Sequence, residues 1–126
     1  MTEDERPGIL VLDRRIEPAE LARVVRLYFG LMVKYVVDVR QRVIAIGGEL
    51  HADAEELLLE RGSRQADLWG ANYYPGRGAD RCIEFTALIN IRPAQGNPSM
   101  EIDDDRVRQT IRALTFELVG EGEALD

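Results

Sequence analysis

Leu68-Trp69-Gly70-Ala71-Asn72-Tyr73-Tyr74-Pro75 and Ile83-Glu84-Phe85-Thr86-Ala87-Leu88-Ile89-Asn90-Ile91-Arg92-Pro93 are the two segments whose reading decides the fold. In the second, Ile83, Phe85, Ala87, Ile89 and Ile91 fall on one side of an extended chain. Glu84, Thr86, Asn90 and Arg92, with Leu88 among them, fall on the other. A period of two marks a strand with one buried face, so the spacing predicts a strand over Cys82–Arg92, ended by Pro93. Leu68–Tyr74 predicts the strand before it, with Gly70 marking a bulge or a close backbone approach. Between them, Pro75-Gly76-Arg77-Gly78-Ala79-Asp80 is turn chemistry.

Working outward, Met32–Val39 alternates Val33, Tyr35, Val37 and Val39 against Lys34, Val36 and Asp38. Arg40-Gln41-Arg42 is a polar turn and Val43–Ile46 a second strand, giving another hairpin that Gly47-Gly48 ends. Three helices surround these strands. Pro18 suits a first helical position, and Leu21, Val24, Val25 and Tyr28 share one face of a helix over Pro18–Phe29, stopped by Gly30. Leu50, Ala54, Leu57 and Leu58 follow a helical period to Gly62. Asp103-Asp104-Asp105 suits a helix N-terminus, after which Val107, Ile111, Leu114 and Leu118 form a buried stripe ending at Gly120. The order α-β-β-α-β-β-α predicts an α+β fold, a mainly antiparallel four-stranded sheet with the helices packed on its more apolar face. Ile9–Leu12 is a short apolar run expected to lie against this body.

The chain's 126 residues suit a single domain, 1–126, with a folded body at about 9–119 and acidic polar ends at 1–8 and 120–126. Net charge is −7, but Glu3, Asp4 and Glu5 against Arg6 contribute −2, and Glu117, Glu121, Glu123 and Asp126 contribute −4. Residues 7–116 therefore carry only −1. The acidic ends read as solubilising tails, and neither they nor the near-neutral body favours nucleic acid as a partner. No apolar run approaches the roughly 20 residues that span a bilayer, and the acidic start is unlike a secretory signal. With a lone Cys82, these features point to a reducing cytoplasm and no membrane association. Leu88 on the polar side of its strand suggests a homodimer.

Three groups of residues could carry chemistry. His51 and Glu55 are four apart and share a helix face, as do Glu49 and Asp53 if the helix starts early. An imidazole among carboxylates can share a proton or take a divalent metal, which nominates Glu49, His51 and Asp53 as catalytic. One His without nearby Cys falls short of zinc-site patterns, and acids at a helix start are favoured by the dipole whatever their function. In the second group, Trp69, Asn72, Tyr73 and Tyr74 combine rings with polar tips, as pocket walls do and as ordinary sheet packing also does. The third is Asn90, Arg92, Gln95, Gly96, Asn97, Ser99 and Glu101. There Arg92 could anchor a carboxylate or phosphate, and the amides could bind a ligand or merely satisfy a tight loop. Phosphate loops, nucleophile elbows and paired-Cys motifs are absent from the sequence. Cys82, before an apolar strand, reads as packing.

Met32-Val33-Lys34-Tyr35-Val36-Val37-Asp38-Val39, Gly47-Gly48-Glu49-Leu50-His51-Ala52-Asp53, Asp67-Leu68-Trp69-Gly70-Ala71-Asn72-Tyr73-Tyr74-Pro75 and Ile89-Asn90-Ile91-Arg92-Pro93 through Ser99-Met100-Glu101-Ile102 together resemble an uncharacterised prokaryotic family of small domains of unknown function. The resemblance covers about residues 16–119 and implies no particular activity, cofactor or catalytic residue. The leading functional expectation is a cytoplasmic, dimeric binding module for a small polar or anionic ligand or a partner protein. Asn72, Asn90, Arg92, Gln95 and Asn97 would contact the ligand, with Trp69 and Tyr74 as walls. The alternatives are a metal- or acid–base-dependent hydrolase at Glu49, His51 and Asp53, and a structural or interaction protein without a small ligand.

Overall fold

A computed structural model describes residues 8–125. In chain order its elements are β1 (Leu10–Leu12), α1 (Pro18–Tyr28), β2 (Val33–Asp38), β3 (Val43–Ile46), α2 (His51–Glu60), β4 (Leu68–Tyr73), β5 (Ile83–Glu84) and α3 (Asp105–Leu118), with short 3₁₀ turns at Gln65–Asp67, Leu88–Asn90 and Pro93–Gln95. The strands form one antiparallel sheet in the order β1-β3-β2-β4-β5.

The β2–β3 hairpin forms where the alternation places it. Asp38 fixes its turn: the buried carboxylate accepts from the backbone N–H of Arg40 at 2.9 Å and of Gln41 at 2.8 Å, and from the Ser63 hydroxyl at 2.6 Å. α1 starts at Pro18, and Gly30, at φ 77°, sends its N–H back to the Val25 carbonyl at 2.7 Å to close it. Asp104 caps α3 by accepting from the Arg106 N–H at 2.8 Å. α1 and α3 lay Leu21, Val24, Ile111 and Leu114 on Val33, Tyr35, Val37, Ile44, Trp69 and Tyr73 of one sheet face. α2 lays Ala54, Leu57 and Leu58 on Val36, Ala45 and Leu68 of the other.

Four expectations are corrected. The sheet has five strands, because Leu10–Leu12 pairs with β3 from Leu10↔Ile46 to Leu12↔Ile44 and so covers an edge that would otherwise expose unpaired backbone. The helices are not confined to one face: Val36, Ala45 and Leu68 give the sheet a second apolar surface, and α2 covers it. The strand expected over Cys82–Arg92 is only two residues long. Its pattern changes sides, with Ile83 and Phe85 packing on the α1/α3 layer and Ile89 on the α2 layer, and the chain coils into a 3₁₀ turn at Leu88–Asn90. Leu88 therefore stands on an exposed turn rather than on a sheet face. Finally, residues 120–125 are not a free tail. The Gly122 N–H donates to the Tyr73 hydroxyl at 2.8 Å, and the Gly76 and Gly78 N–H groups each donate to the Gly122 carbonyl at 3.0 Å. The polar leader lies almost entirely outside the described residues.

Candidate functional site

The register of the sheet sets Lys34 opposite Asn72, and Asn72 opposite Glu84. All three stand in one cross-strand row on the face that α2 covers. One ladder step away, β4 carries Gly70 opposite Val36, and the β2–β4 pairing runs through it without a bulge. Gly70 is needed for space. A Cβ there would lie 2.6 Å from the Ala87 Cβ, 3.1 Å from His51 Cδ2 and 3.2 Å from Ile89 Cγ1. The imidazole and the 87–89 segment both settle into the room this glycine leaves. Gly47 and Gly48, at φ 112° and 91°, turn the chain off β3 so that α2 begins with His51 above β4.

His51 is only 9% exposed. Its Nε2 lies 2.9 Å from the Ala71 carbonyl oxygen and 2.9 Å from Asn72 Oδ1. The orientation of Asn72 follows from its other end, where Nδ2 donates to Glu84 Oε1 at 2.8 Å and a carboxylate can only accept. Oδ1 must then face the imidazole, and with two acceptors before it Nε2 carries the proton. Tyr74 completes the chain by donating from its hydroxyl to the same Glu84 oxygen at 3.2 Å. Burial, reinforced by the Lys34 charge, pushes the His51 pKa below the ordinary histidine value, against the opposing pull of the Ala71 and Asn72 hydrogen bonds and the Glu84 charge. The result is a neutral imidazole in a fixed tautomer, whose Nδ1 lone pair takes no partner among the described residues.

This imidazole and Asn72 line a cleft of about 340 Å³. Leu50, Ala52, Ala87, Leu88, Ile89 and Met100 make most of its wall; Lys34 and Thr86 are its other polar lining residues. Leu50 at 57% and Leu88 at 71% exposure stand on its open side. Lys34 makes no ion pair among the described residues, and its Nζ lies 5.1 Å from the Phe29 ring centroid. The cleft can accept an apolar body while offering a hydrogen-bond acceptor, a cation and the uncapped first turn of α2, whose N-cap residue Leu50 supplies no side-chain bond.

The third group of sequence candidates lies elsewhere and has other partners. Beyond β5 the edge of β4 lacks a strand, and the Asn90 carboxamide takes a strand's place. Its Oδ1 accepts from the Gly70 N–H at 2.9 Å, and its Nδ2 donates to the Gly70 carbonyl at 3.0 Å and to the Met100 carbonyl at 3.1 Å. Arg92 continues the edge, with Nη2 donating to the Leu68 carbonyl and Nε to the Ile89 carbonyl at 3.1 Å, while its guanidinium lies 4.6 Å from the Trp69 ring centroid. It also pairs with Glu55 at 3.8 Å, these two side chains being 9% and 13% exposed. Asn97 donates to the carbonyls of Asn90, Ser99 and Glu101 at 2.8, 3.0 and 2.9 Å and accepts from the Asp103 N–H at 3.0 Å. Gln95 is exposed and donates to the Ala66 carbonyl at 3.2 Å. Trp69 is buried on the opposite sheet face from His51.

The structure thus brings together His51, Asn72 and Tyr74, and keeps Trp69, Asn90, Arg92, Gln95 and Asn97 as a separate edge assembly. Glu49 is exposed and Asp53 half-exposed, and neither lines the cleft. Among the described residues no group of three His, Cys, Asp or Glu side chains is placed to hold a metal ion, and no helix is long and apolar enough to cross a membrane. Lys34, Gly70 and Glu84 were missed as site residues. The available signal was that Lys34, the only lysine in the chain, interrupts a run of buried strand residues.

Fold and site together define a mixed α+β protein with a five-stranded antiparallel sheet and a histidine-floored cleft between α2 and the 86–100 segment. The chain belongs to the family described as protein of unknown function (DUF5674), which matches residues 10–118. No curated protein and no solved structure matches it.

Proposed function

We propose that this protein is a binding module for a small ligand and that the ligand sits in the cleft over His51 and Asn72. One observation carries this: a buried imidazole lines an otherwise largely apolar cleft and is held by Asn72 and Glu84 in a single tautomer that leaves its Nδ1 without a partner among the described residues. Small-molecule sites combine such apolar walls with a few convergent polar groups. The reading moves the site from the Arg92 loop, where the sequence placed its anchor, to the other side of β4. It is tested by ¹H–¹⁵N NMR titration with hexanol, hexanoate and hexylamine. Shifts clustered at His51, Asn72 and Thr86–Ile89, and abolished by Ala52→Phe in the cleft wall, are the expected result. No response at these residues, or a response confined to Arg92–Asn97, overturns it.

A second reading, an acid–base hydrolase, rests on the same tautomer, since a neutral imidazole with a free nitrogen is equipped to take a proton. His51 would act with Asn72 and Glu84 orienting it and without Glu49 and Asp53. Hydrolysis of p-nitrophenyl hexanoate that disappears in His51→Gln is its test. The expectations of cytoplasmic location and homodimerisation stay with the proposal; the molecular mass in solution, compared between wild type and Leu88→Glu, tests the latter.

A further inference from the structure

Three features of the cleft select a class of ligand. Lys34 lines it and has no carboxylate partner within ion-pair distance among the described residues. An anionic ligand would supply the counter-charge that the described residues lack. The first turn of α2 adds to this preference. Leu50, His51 and Ala52 all line the cleft, the N-cap has no side-chain bond, and the free N–H groups and dipole of a helix start favour negative charge. The second feature is His51 Nδ1, an acceptor on a side chain that is nine-tenths buried. A carboxylate alone leaves it facing another acceptor, so the ligand must also bring a donor. The third is the wall of Leu50, Leu88, Ile89 and Met100, which suits an apolar body, and a volume of about 340 Å³, near the low end for small-molecule sites.

Taking the cleft as the binding site, as proposed above, we infer that it binds an apolar hydroxy acid: a carboxylate held by Lys34 and the α2 N-terminus, a hydroxyl donating to His51 Nδ1, and an aliphatic body against Leu88, Ile89 and Met100. A single ammonium with no arginine in the lining fits one negative charge better than the two of a phosphate monoester.

The experiment is an NMR titration of the full chain with 2-hydroxyhexanoate, hexanoate and hexane-1,2-diol, which differ in one group at a time. The hydroxy acid is expected to bind most tightly. Loss of the hydroxyl should weaken binding roughly 3- to 10-fold, and loss of the carboxylate roughly 10- to 100-fold, as neutral and charge-assisted hydrogen bonds are worth. In Lys34→Met the preference for hydroxyhexanoate over the diol should collapse. In His51→Gln, which keeps a donor toward Ala71 and Asn72, the preference over hexanoate should collapse instead. The comparison among ligands on the wild-type protein stands even where a variant folds poorly. Equal binding of the diol and the hydroxy acid at the cleft overturns the anionic assignment and leaves the cleft reading intact. Equal binding of hexanoate and hydroxyhexanoate overturns the role of Nδ1. No binding by any of the three at cleft residues overturns the inference and the cleft reading together.

Discussion

Asn90→Ala should be among the most damaging single substitutions in this protein, although sequence reading alone places Asn90 among its ligand-binding residues. The side chain is fully buried and makes three hydrogen bonds, accepting from the Gly70 N–H and donating to the Gly70 and Met100 carbonyls. Truncation strands the buried Gly70 N–H and carbonyl, while the Met100 carbonyl keeps the Ala87 N–H at 3.2 Å. A buried polar group left unmade costs about 1–3 kcal/mol, so the two Gly70 groups together cost about 3–5 kcal/mol. Against a total stability on the order of 5–15 kcal/mol, that is a large share. Urea unfolding followed by far-UV circular dichroism measures it, and at a typical slope of about 2 kcal/mol/M the midpoint falls by about 1.5–2.5 M. Asn90→Asp should be no better at neutral pH, because it keeps the acceptor for Gly70 but turns an oxygen toward two carbonyls. Gln95→Ala, in the exposed part of the same loop, should stay within about 0.5 kcal/mol. An Asn90→Ala midpoint indistinguishable from wild type would falsify the view that this amide replaces a strand.

Gly70→Ala sets a methyl 2.6 Å from the Ala87 Cβ and should cost about 1–3 kcal/mol by overpacking. It should also shift the His51 ring resonances, and an unchanged imidazole spectrum would count against the packing described. His51 has a lowered pKa when folded, so below about pH 6.5 the unfolded imidazole binds a proton first. Its contribution is complete above that pH and is lost as pH falls toward the folded value. Urea midpoints should therefore drop more between pH 7.5 and 5.5 in wild type than in His51→Gln, and equal drops would refute this. Tyr35→Phe removes a buried 2.8 Å bond to Thr115 Oγ1 but leaves that hydroxyl donating to the Ile111 carbonyl at 2.7 Å. The expected loss is about 1 kcal/mol, and a loss above about 3 kcal/mol would mean that the Thr115 bond to Ile111 fails as well.

The same residue types do different work on the two sides of β4. Asn72 and Asn90 are two buried asparagines, one turned toward an imidazole and a carboxylate, the other toward strand backbone. Arg92, the natural anion anchor by its chemistry, has its guanidinium taken up by the Leu68 and Ile89 carbonyls, Trp69 and Glu55. Burial with incomplete compensation holds its pKa below the ordinary arginine value.

The sequence by itself determined what depends on neighbours along the chain. The β2–β3 hairpin, three helices within a residue or two of their ends, the Asp104 cap and the positions of the turn glycines all follow from period, propensity and local hydrogen bonding. Only the tertiary structure decided how far β5 runs and what its residues do, because a strand's length depends on whether a partner edge remains available. Alternation from Ile83 to Ile91 is compatible with a long strand. The space over Gly70 draws Ala87 and Ile89 onto the α2 face, and Asn90 closes the edge with its side chain. The cleft was invisible for the same reason: Lys34, His51, Asn72 and Glu84 are spread over fifty residues and meet only through sheet register and the packing of α2.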